Sequence, residues 1–413
     1  ISITALSDAN GRITTSAFNA LPVGTTFYAY ATLEGYSSQK MAMEILPSLG
    51  SSTPQLVIVA PGNRSHREAF ITWQTNLDTT SGVVRFRVKG TTSWTNATDH
   101  SSHIIQVLNN NNMQEYRAHR VALINLSSNT EYEYQVGNGS VWSPIQTFKT
   151  SPFNQDTSML FIADPQATGA AGYDGMAALI NAALTKNPDI SLTLLGGDVV
   201  EDTNMYAHWQ GLNSRLAEQL AKMRFSSASG NHDVIRDYGD PFNWAFTGPN
   251  NGTGATLGAN YSFIVGNAIV AVIDTETPSS FPAQKEWLIN TMNASDRTFK
   301  IVLMHRSVYP AFNQDLHIRD WYETMDAANV DLVLSGHDHL YARTAMAANE
   351  KVAVGDGPVY VIGGSAGNKF YASTNLENRP WIDVLYEEQN NVYSLIDIVG
   401  DELIFTAYAL IGG

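Results

Sequence analysis

Cysteine is absent from all 413 residues. That excludes a disulfide framework, a thiolate metal site and a cysteine nucleophile, so any metal would be held by His, Asp, Asn or Glu. Positive charge is scarce as well: Lys and Arg total 24 against 39 Asp and Glu, for a net charge of -15, and no segment gathers the basic residues into a stripe. A nucleic-acid backbone is therefore not an expected partner. No apolar run approaches the ~18 residues that span a membrane. The chain opens on ISITALSDANG rather than on a leader, so export is expected from composition alone. Charged residues are only 15% against 44% hydrophobic, with Gly, Ser, Thr and Asn taking the place of charge. This composition suits a secreted, periplasmic or cell-surface β-rich protein more than a cytosolic one, and argues against disorder. An acidic protein that handles an anionic substrate must supply its own local positive charge, and bound metal ions are one way to do so.

The length exceeds one ordinary core, so two or more domains are expected. Residues 1–50 carry short alternating runs, ISITAL and TTFYAYATL, broken by DANG and PVG, which read as a small β-rich segment or partial sandwich. Their DANG, LPVGTT and EGY pattern resembles part of a prealbumin-like surface-protein sandwich. The Ser/Pro/Gly-rich LPSLGSSTPQL is a boundary signal. Over residues 54–152 the runs LVIVA, EAFITWQT, GVVRFRV, HRVALINL, EYEYQV and IQTFKT recur at β-sandwich spacing, with Trp73 as a core candidate.

From residue 156 to the end the pattern changes. Apolar runs of strand length (SMLFIAD, ISLTLLGGD, FSSASGNHD, AIVAVIDTE, KIVLMH, VDLVLSGHDH, GPVYVIGG) alternate with helical segments such as AGYDGMAALINAALTKN and MYAHWQGLNSRLAEQLAKM. Such strands read as an α/β sheet covered on both faces. Several of these runs end on metal-type residues: Asp164 and Gln166 in ADPQ, Asp198 and Glu201 in GGDVVE, Asn231 and His232 in GNHD, His305 in LMHRSVY, and His337 and His339 in GHDH. Successive strand ends can converge on one edge of a sheet, and one carboxylate between two divalent ions forms the clamp used in phosphoryl transfer.

In those ordered motifs the chain resembles the calcineurin-like metallophosphoesterases, and within them the purple acid phosphatase branch. NYSFIVGNAIVAVIDTE, VDLVLSGHDHLYART and PVYVIGGSAGN are framework segments of the same resemblance, and HRVALINLSSNTEYEYQVGNGSVWSPIQTFKT is similar to the fibronectin type III-like module that precedes the catalytic domain. The resemblance implies a four-layer α/β/β/α domain behind the β-sandwich, and a binuclear centre of divalent or trivalent ions (Fe, Zn or Mn). One metal would take Asp164, Asp198 and His339; the other would share Asp198 and add Asn231, His305 and His337. A hydroxide on the ions would attack a small phosphate ester, with His232 as general acid or phosphate partner and Asn231 also facing substrate. A monoesterase, a diesterase and a non-catalytic surface-binding protein on the same fold all remain open readings.

Two positions depart from the branch. Glu201 stands where a tyrosine gives the branch its colour, and Gln166 stands where the branch has glycine and other members a ligating histidine. A colourless enzyme is expected. Gln166 would ligate through its amide oxygen, and Glu201 would either orient His232 or ligate the first metal. In HRSVYPAFNQDLHIRDW, Arg306 and His317 are candidate substrate contacts, while Asp202 reads as a helix cap.

Overall fold

The computed structural model describes residues 49–411 except 155, 235–240, 254–258, 313–317, 346–350 and 353–356, and before them the backbone of four short strands between 26 and 44. Thr26–Ala29 pairs with Met41–Glu44, and Thr32–Leu33 with Tyr36–Ser37, both antiparallel. The DANG and LPVG portions of the prealbumin-like pattern lie outside the described residues.

The period-two alternation after residue 54 builds two antiparallel sheets of four strands. One runs Gln55–Pro61, Ala69–Thr75, Asn112–Leu123, His100–Asn109; the other runs Gln146–Lys149, Glu131–Gly137, Val83–Val88, Thr95–Ala97. Ile71, Trp73 and Val121 from the first sheet close on Val84, Tyr132, Tyr134 and Phe148 from the second, so the sheets form a sandwich around one core. The sequence reading did not separate His100–Asn109 from Asn112–Leu123. Asn110 and Asn111 join them with φ of 50° and 61°, the left-handed pair of a two-residue hairpin turn that asparagine tolerates well.

Behind the sandwich stand two larger sheets. The first runs Phe225–Ser227, Ile190–Leu195, Thr157–Ile162, Val392–Val399, Glu402–Ala409, Lys351–Val352. The second runs Tyr261–Val265, Ala268–Val272, Phe299–Leu303, Leu332–Ser335, Val359–Gly363, Tyr341–Arg343, Val384–Tyr386. In each, the strands that carry the motif residues are parallel. Met159 and Phe161 point inward onto Val270, Ile301, Leu334 and Val361, while Leu160 and Ile162 point outward under the helices Asp174–Lys186 and Tyr206–Lys222. The outer face of the second sheet, with Ala271, Val302 and Val333, is covered by Phe281–Ala294 and Trp321–Ala327. The result is helix, sheet, sheet, helix, and burial of both faces explains the near-continuous apolar strands.

Sandwich and layered domain are joined by direct pairing of Val59 with Arg224 and of Arg64 with Ile264. Arg224 is buried at this seam. Its guanidinium donates to the Ser65 carbonyl at 2.5 Å, to Ser151 Oγ at 2.6 Å and to the Ser191 carbonyl at 2.6 Å, so one side chain fastens both bodies through neutral oxygens.

Within the sandwich, His119 lies opposite Trp73, stacked at 5.0 Å, with its Nε2 2.7 Å from Thr75 Oγ1 and its Nδ1 3.0 Å from His100 Nε2. Burial pushes it down from 6.5 to about 3. The unfolded chain therefore takes up a proton there that the folded chain refuses, and stability is lost as pH falls from about 6.5 toward about 3, by up to ~1.4 kcal/mol per pH unit. Urea midpoints between pH 7 and pH 4 should fall more steeply for the native chain than for His119→Gln. Parallel slopes would contradict this assignment.

Candidate metal centre

Five parallel strands end at one edge, and each delivers a side chain. Thr157–Ile162 leads to Asp164, Ile190–Leu195 to Asp198, and Phe225–Ser227 to Asn231 and His232. Facing them, Phe299–Leu303 leads to His305, and Leu332–Ser335 to His337 and His339. The turns out of three of these strands are sharp: Asp164, Gln166, Asp198, His337 and His339 have φ of 53°, 35°, 51°, 74° and 48°. Left-handed backbone at a non-glycine residue costs about 1 kcal/mol or more, and it gathers at sites the surrounding structure over-determines. The loops bind one another, Asp164 N–H to the Gly197 carbonyl at 3.2 Å and Gln166 N–H to the Asp198 carbonyl at 2.9 Å. Gly197 has φ of 89°, and a Cβ there would lie 2.6 Å from His305 Nδ1, which explains the glycine before Asp198.

The side chains form two clusters that share one carboxylate. Asp198, His305 and His337 bring ligand atoms within 4.8 Å of one another, and so do Asp164, Asp198 and His339. Asn231 Oδ1 lies 3.2 Å from His305 Nε2, which joins it to the first cluster. His305 donates from Nδ1 to the Gly196 carbonyl at 2.8 Å, and His339 from Nδ1 to the Lys369 carbonyl at 3.0 Å. Both rings are thereby left with Nε2 as the basic nitrogen, the arrangement a metal-binding imidazole needs.

The electrostatics point the same way. Burial pushes the Asp164 carboxyl well up. Burial also opposes charge on Asp198, yet His305 holds it below the usual carboxylate range. His305 resists its own burial and rises to about 10 because Asp198, Asp164 and Glu276 surround it, whereas burial lowers His339 to about 4. Buried carboxylates here draw positive charge to themselves. Gln166 adds a second mark of fit: its amide oxygen and nitrogen are both buried without a hydrogen-bond partner. Oxygen and imidazole donors, no thiolate and an orphaned amide suit two hard or borderline cations.

Seven residues singled out in the sequence, Asp164, Gln166, Asp198, Asn231, His305, His337 and His339, thus sit on the loops of one edge. His232 joins them, its backbone N–H donating to Asp198 Oδ1 at 2.9 Å and its Nδ1 to the Glu201 carbonyl at 2.7 Å. The Glu201 carboxylate belongs to neither cluster; it lies 3.8 Å from His232 Nδ1 and 3.6 Å from Lys369 Nζ. Arg306 grips Glu276 through Nε and one terminal nitrogen, both at 2.9 Å, and reaches His337 Nε2 with the other at 3.2 Å. His317 lies outside the described residues. The helix cap expected of Asp202 is a correction: the helix begins after Met205, and Asp202 Oδ1 instead accepts from Asn204 N–H at 2.9 Å, closing the turn before it.

Sequence reasoning missed two aspartates that hold the loops. Asp233, next to His232, accepts from the backbone N–H of Val199 and Gly230, both at 3.0 Å. Asp338, between the two histidines, accepts from Ala311 and Phe312 N–H at 2.6 and 2.9 Å. The signal was an extra acid directly beside a histidine in GNHD and in GHDH.

Residues 157–341 match the calcineurin-like phosphoesterase family, and residues 54–150 match the purple acid phosphatase N-terminal domain. Fold, clusters and match together define a calcineurin-like metallophosphoesterase, a hydrolase of phosphoric esters. Within that family the chain is similar to the purple acid phosphatase branch. Purple acid phosphatase 5 of Arabidopsis thaliana is 23% identical, over 79% of this chain and 83% of its own length. The Fe(3+)-Zn(2+) purple acid phosphatase 12 of the same plant is 23% identical, over 77% and 73%. The solved structure of purple acid phosphatase PPD1 from yellow lupin seeds shares the fold with a TM-score of 0.70 at 16% identity, covering 93% of this chain and 77% of that one.

Because Asp233 ties the Asp198 loop to the His232 loop from a buried position, Asp233→Ala should cost about 2–4 kcal/mol of stability by chemical denaturation. A loss below about 0.5 kcal/mol, the range of a neutral surface change, would show that the loops are held by other means.

Proposed function

We propose that the edge is a binuclear metal centre that hydrolyses small phosphate esters, in a protein that works outside the cytoplasm. The observation that carries the reading is Asp198, whose carboxylate belongs to both clusters. Asp164, Asp198 and His339 would hold one ion, with the Gln166 amide oxygen beside them. Asp198, Asn231, His305 and His337 would hold the other. When bound, such ions supply Lewis-acid stabilisation of the phosphoryl oxygens and acidity to a nucleophilic water. Iron, zinc and manganese all suit these donors.

The chain's own part is positioning and proton transfer. In hydrolysis a P–O bond forms to the water oxygen, the ester P–O bond breaks, and the leaving oxygen takes up a proton. His232 is the donor in this reading: Nδ1 is fixed on the Glu201 carbonyl, which leaves Nε2 to face the ester, with the Glu201 carboxylate 3.8 Å from Nδ1. The Asn231 amide is placed to meet a phosphoryl oxygen as well as an ion. Arg306, committed to Glu276, acts through His337 rather than on substrate. The β-sandwich serves as a fibronectin type III-like support. A secreted, periplasmic or cell-surface setting fits a composition low in charge and rich in Gly, Ser, Thr and Asn, and no helix among the described residues is long and apolar enough to cross a membrane.

Metal-free protein reconstituted with Mn, Zn or Fe should hydrolyse p-nitrophenyl phosphate or its bis ester in a metal-dependent way, measured from acid to alkaline pH. Absence of turnover with two ions bound would overturn the reading. Asp198→Ala should abolish binding of both ions and lower turnover by more than about a hundredfold, whereas His339→Ala should weaken one ion selectively. With glutamate at 201 in place of tyrosine, the iron-loaded protein should show no visible charge-transfer band; a purple or pink colour would refute the assignment of Glu201.

A further inference from the structure

Lys369 occupies a position that the functional reading above does not use. Its backbone carbonyl accepts from His339 Nδ1 at 3.0 Å, so its main chain is fixed to a residue of the metal clusters. Its ammonium lies 3.6 Å from one oxygen of Glu201, whose other oxygen lies 3.8 Å from His232 Nδ1. The residue therefore spans the rim from His339 to the Glu201–His232 pair. Tyr371, two residues on, packs at a tilt against His339 at 4.8 Å and Phe312 at 4.6 Å, forming a wall beside it.

Exposure separates Lys369 from Arg306. Its side chain is 36% exposed and that of Glu201 35%. An ion pair so open to water is weakly held, and its ammonium can exchange one anionic oxygen for another at little cost. Arg306 cannot do the same, because its departure would leave Glu276, 5% exposed, as a buried unpaired carboxylate.

We propose that Lys369 is a specificity-determining residue that favours doubly charged phosphate monoesters over singly charged diesters, its ammonium offsetting Glu201 and meeting an outer phosphoryl oxygen. The inference rests on the phosphoesterase reading. Its physical basis is charge: a monoester near neutral pH carries close to two negative charges and a diester one. Glu201 repels both, the monoester more strongly. An ammonium between Glu201 and the substrate removes that penalty and adds a charge-assisted hydrogen bond.

The test compares kcat/KM for p-nitrophenyl phosphate and bis-p-nitrophenyl phosphate in the native chain, Lys369→Met, Lys369→Arg and the double variant Glu201→Gln/Lys369→Met, each with metal content measured. Lys369→Met should lower monoester kcat/KM by about ten- to hundredfold and diester kcat/KM by less than about threefold, and should weaken inhibition by inorganic phosphate by about tenfold. Lys369→Arg should restore most of the monoester preference, and the double variant should recover part of it by removing the repelling carboxylate. An equal fall for both esters at unchanged metal content, or an unchanged ratio, would overturn the proposal. A native chain that binds two ions and hydrolyses neither ester fails at the earlier step, and the proposal falls with it.

Discussion

A buried carboxylate cannot stay charged without a cation beside it, and Asp198 is fully enclosed at the junction of two such demands. It shares one cluster with Asp164 and His339 and the other with His305 and His337. Without a metal, His305 carries the compensating charge, raised to about 10 by the acids around it against its own desolvation. Much of the surrounding architecture follows from this need. Facing sheets bring carboxylates from one and imidazoles from the other to a single edge. Glycines precede Asp198, Asn231 and His337 so that backbones can approach, and the hydrogen bonds of Asp233 and Asp338 hold the loops at fixed spacing.

The strain at this edge is possible because the layers beneath it are rigid. Five residues in left-handed backbone would not persist on mobile loops; here each follows a strand whose side chains are buried on both faces. A graded exposure runs outward from there. Asp198 and His305 are closed off, His232 is 22% exposed on its side chain, and Glu201 with Lys369 opens to solvent. In the proposed function the ions would occupy the closed end of that gradient, and an ester with its leaving group the open end.

The fold class was legible in the sequence, and so was the gathering of candidate ligands at one edge, because metal-type residues that end successive apolar runs leave a local mark at each strand. Asp164, Asp198, Asn231, His305, His337 and His339 carry that mark and converge. What escaped was nonlocal. Val392–Val399 takes a central place beside Thr157–Ile162, a pairing that joins the two ends of the domain and that no local pattern announces. The polar run HSSHIIQVLN hid a sandwich strand whose partner lies just beyond an asparagine turn. Arg306 looked available for phosphate because Glu276, its partner, lies far away in the sequence. Lys369 passed unnoticed for the same reason: a lone lysine in GNKF gains meaning only when Glu201 is found beside it.

The account stands or falls on Asp198 serving two ions at once. Anomalous diffraction from crystals soaked in manganese tests this most directly. Two peaks about 3.5–4 Å apart, with the Asp198 carboxylate between them, are the predicted result. A single peak, or two peaks that do not share Asp198, would contradict it.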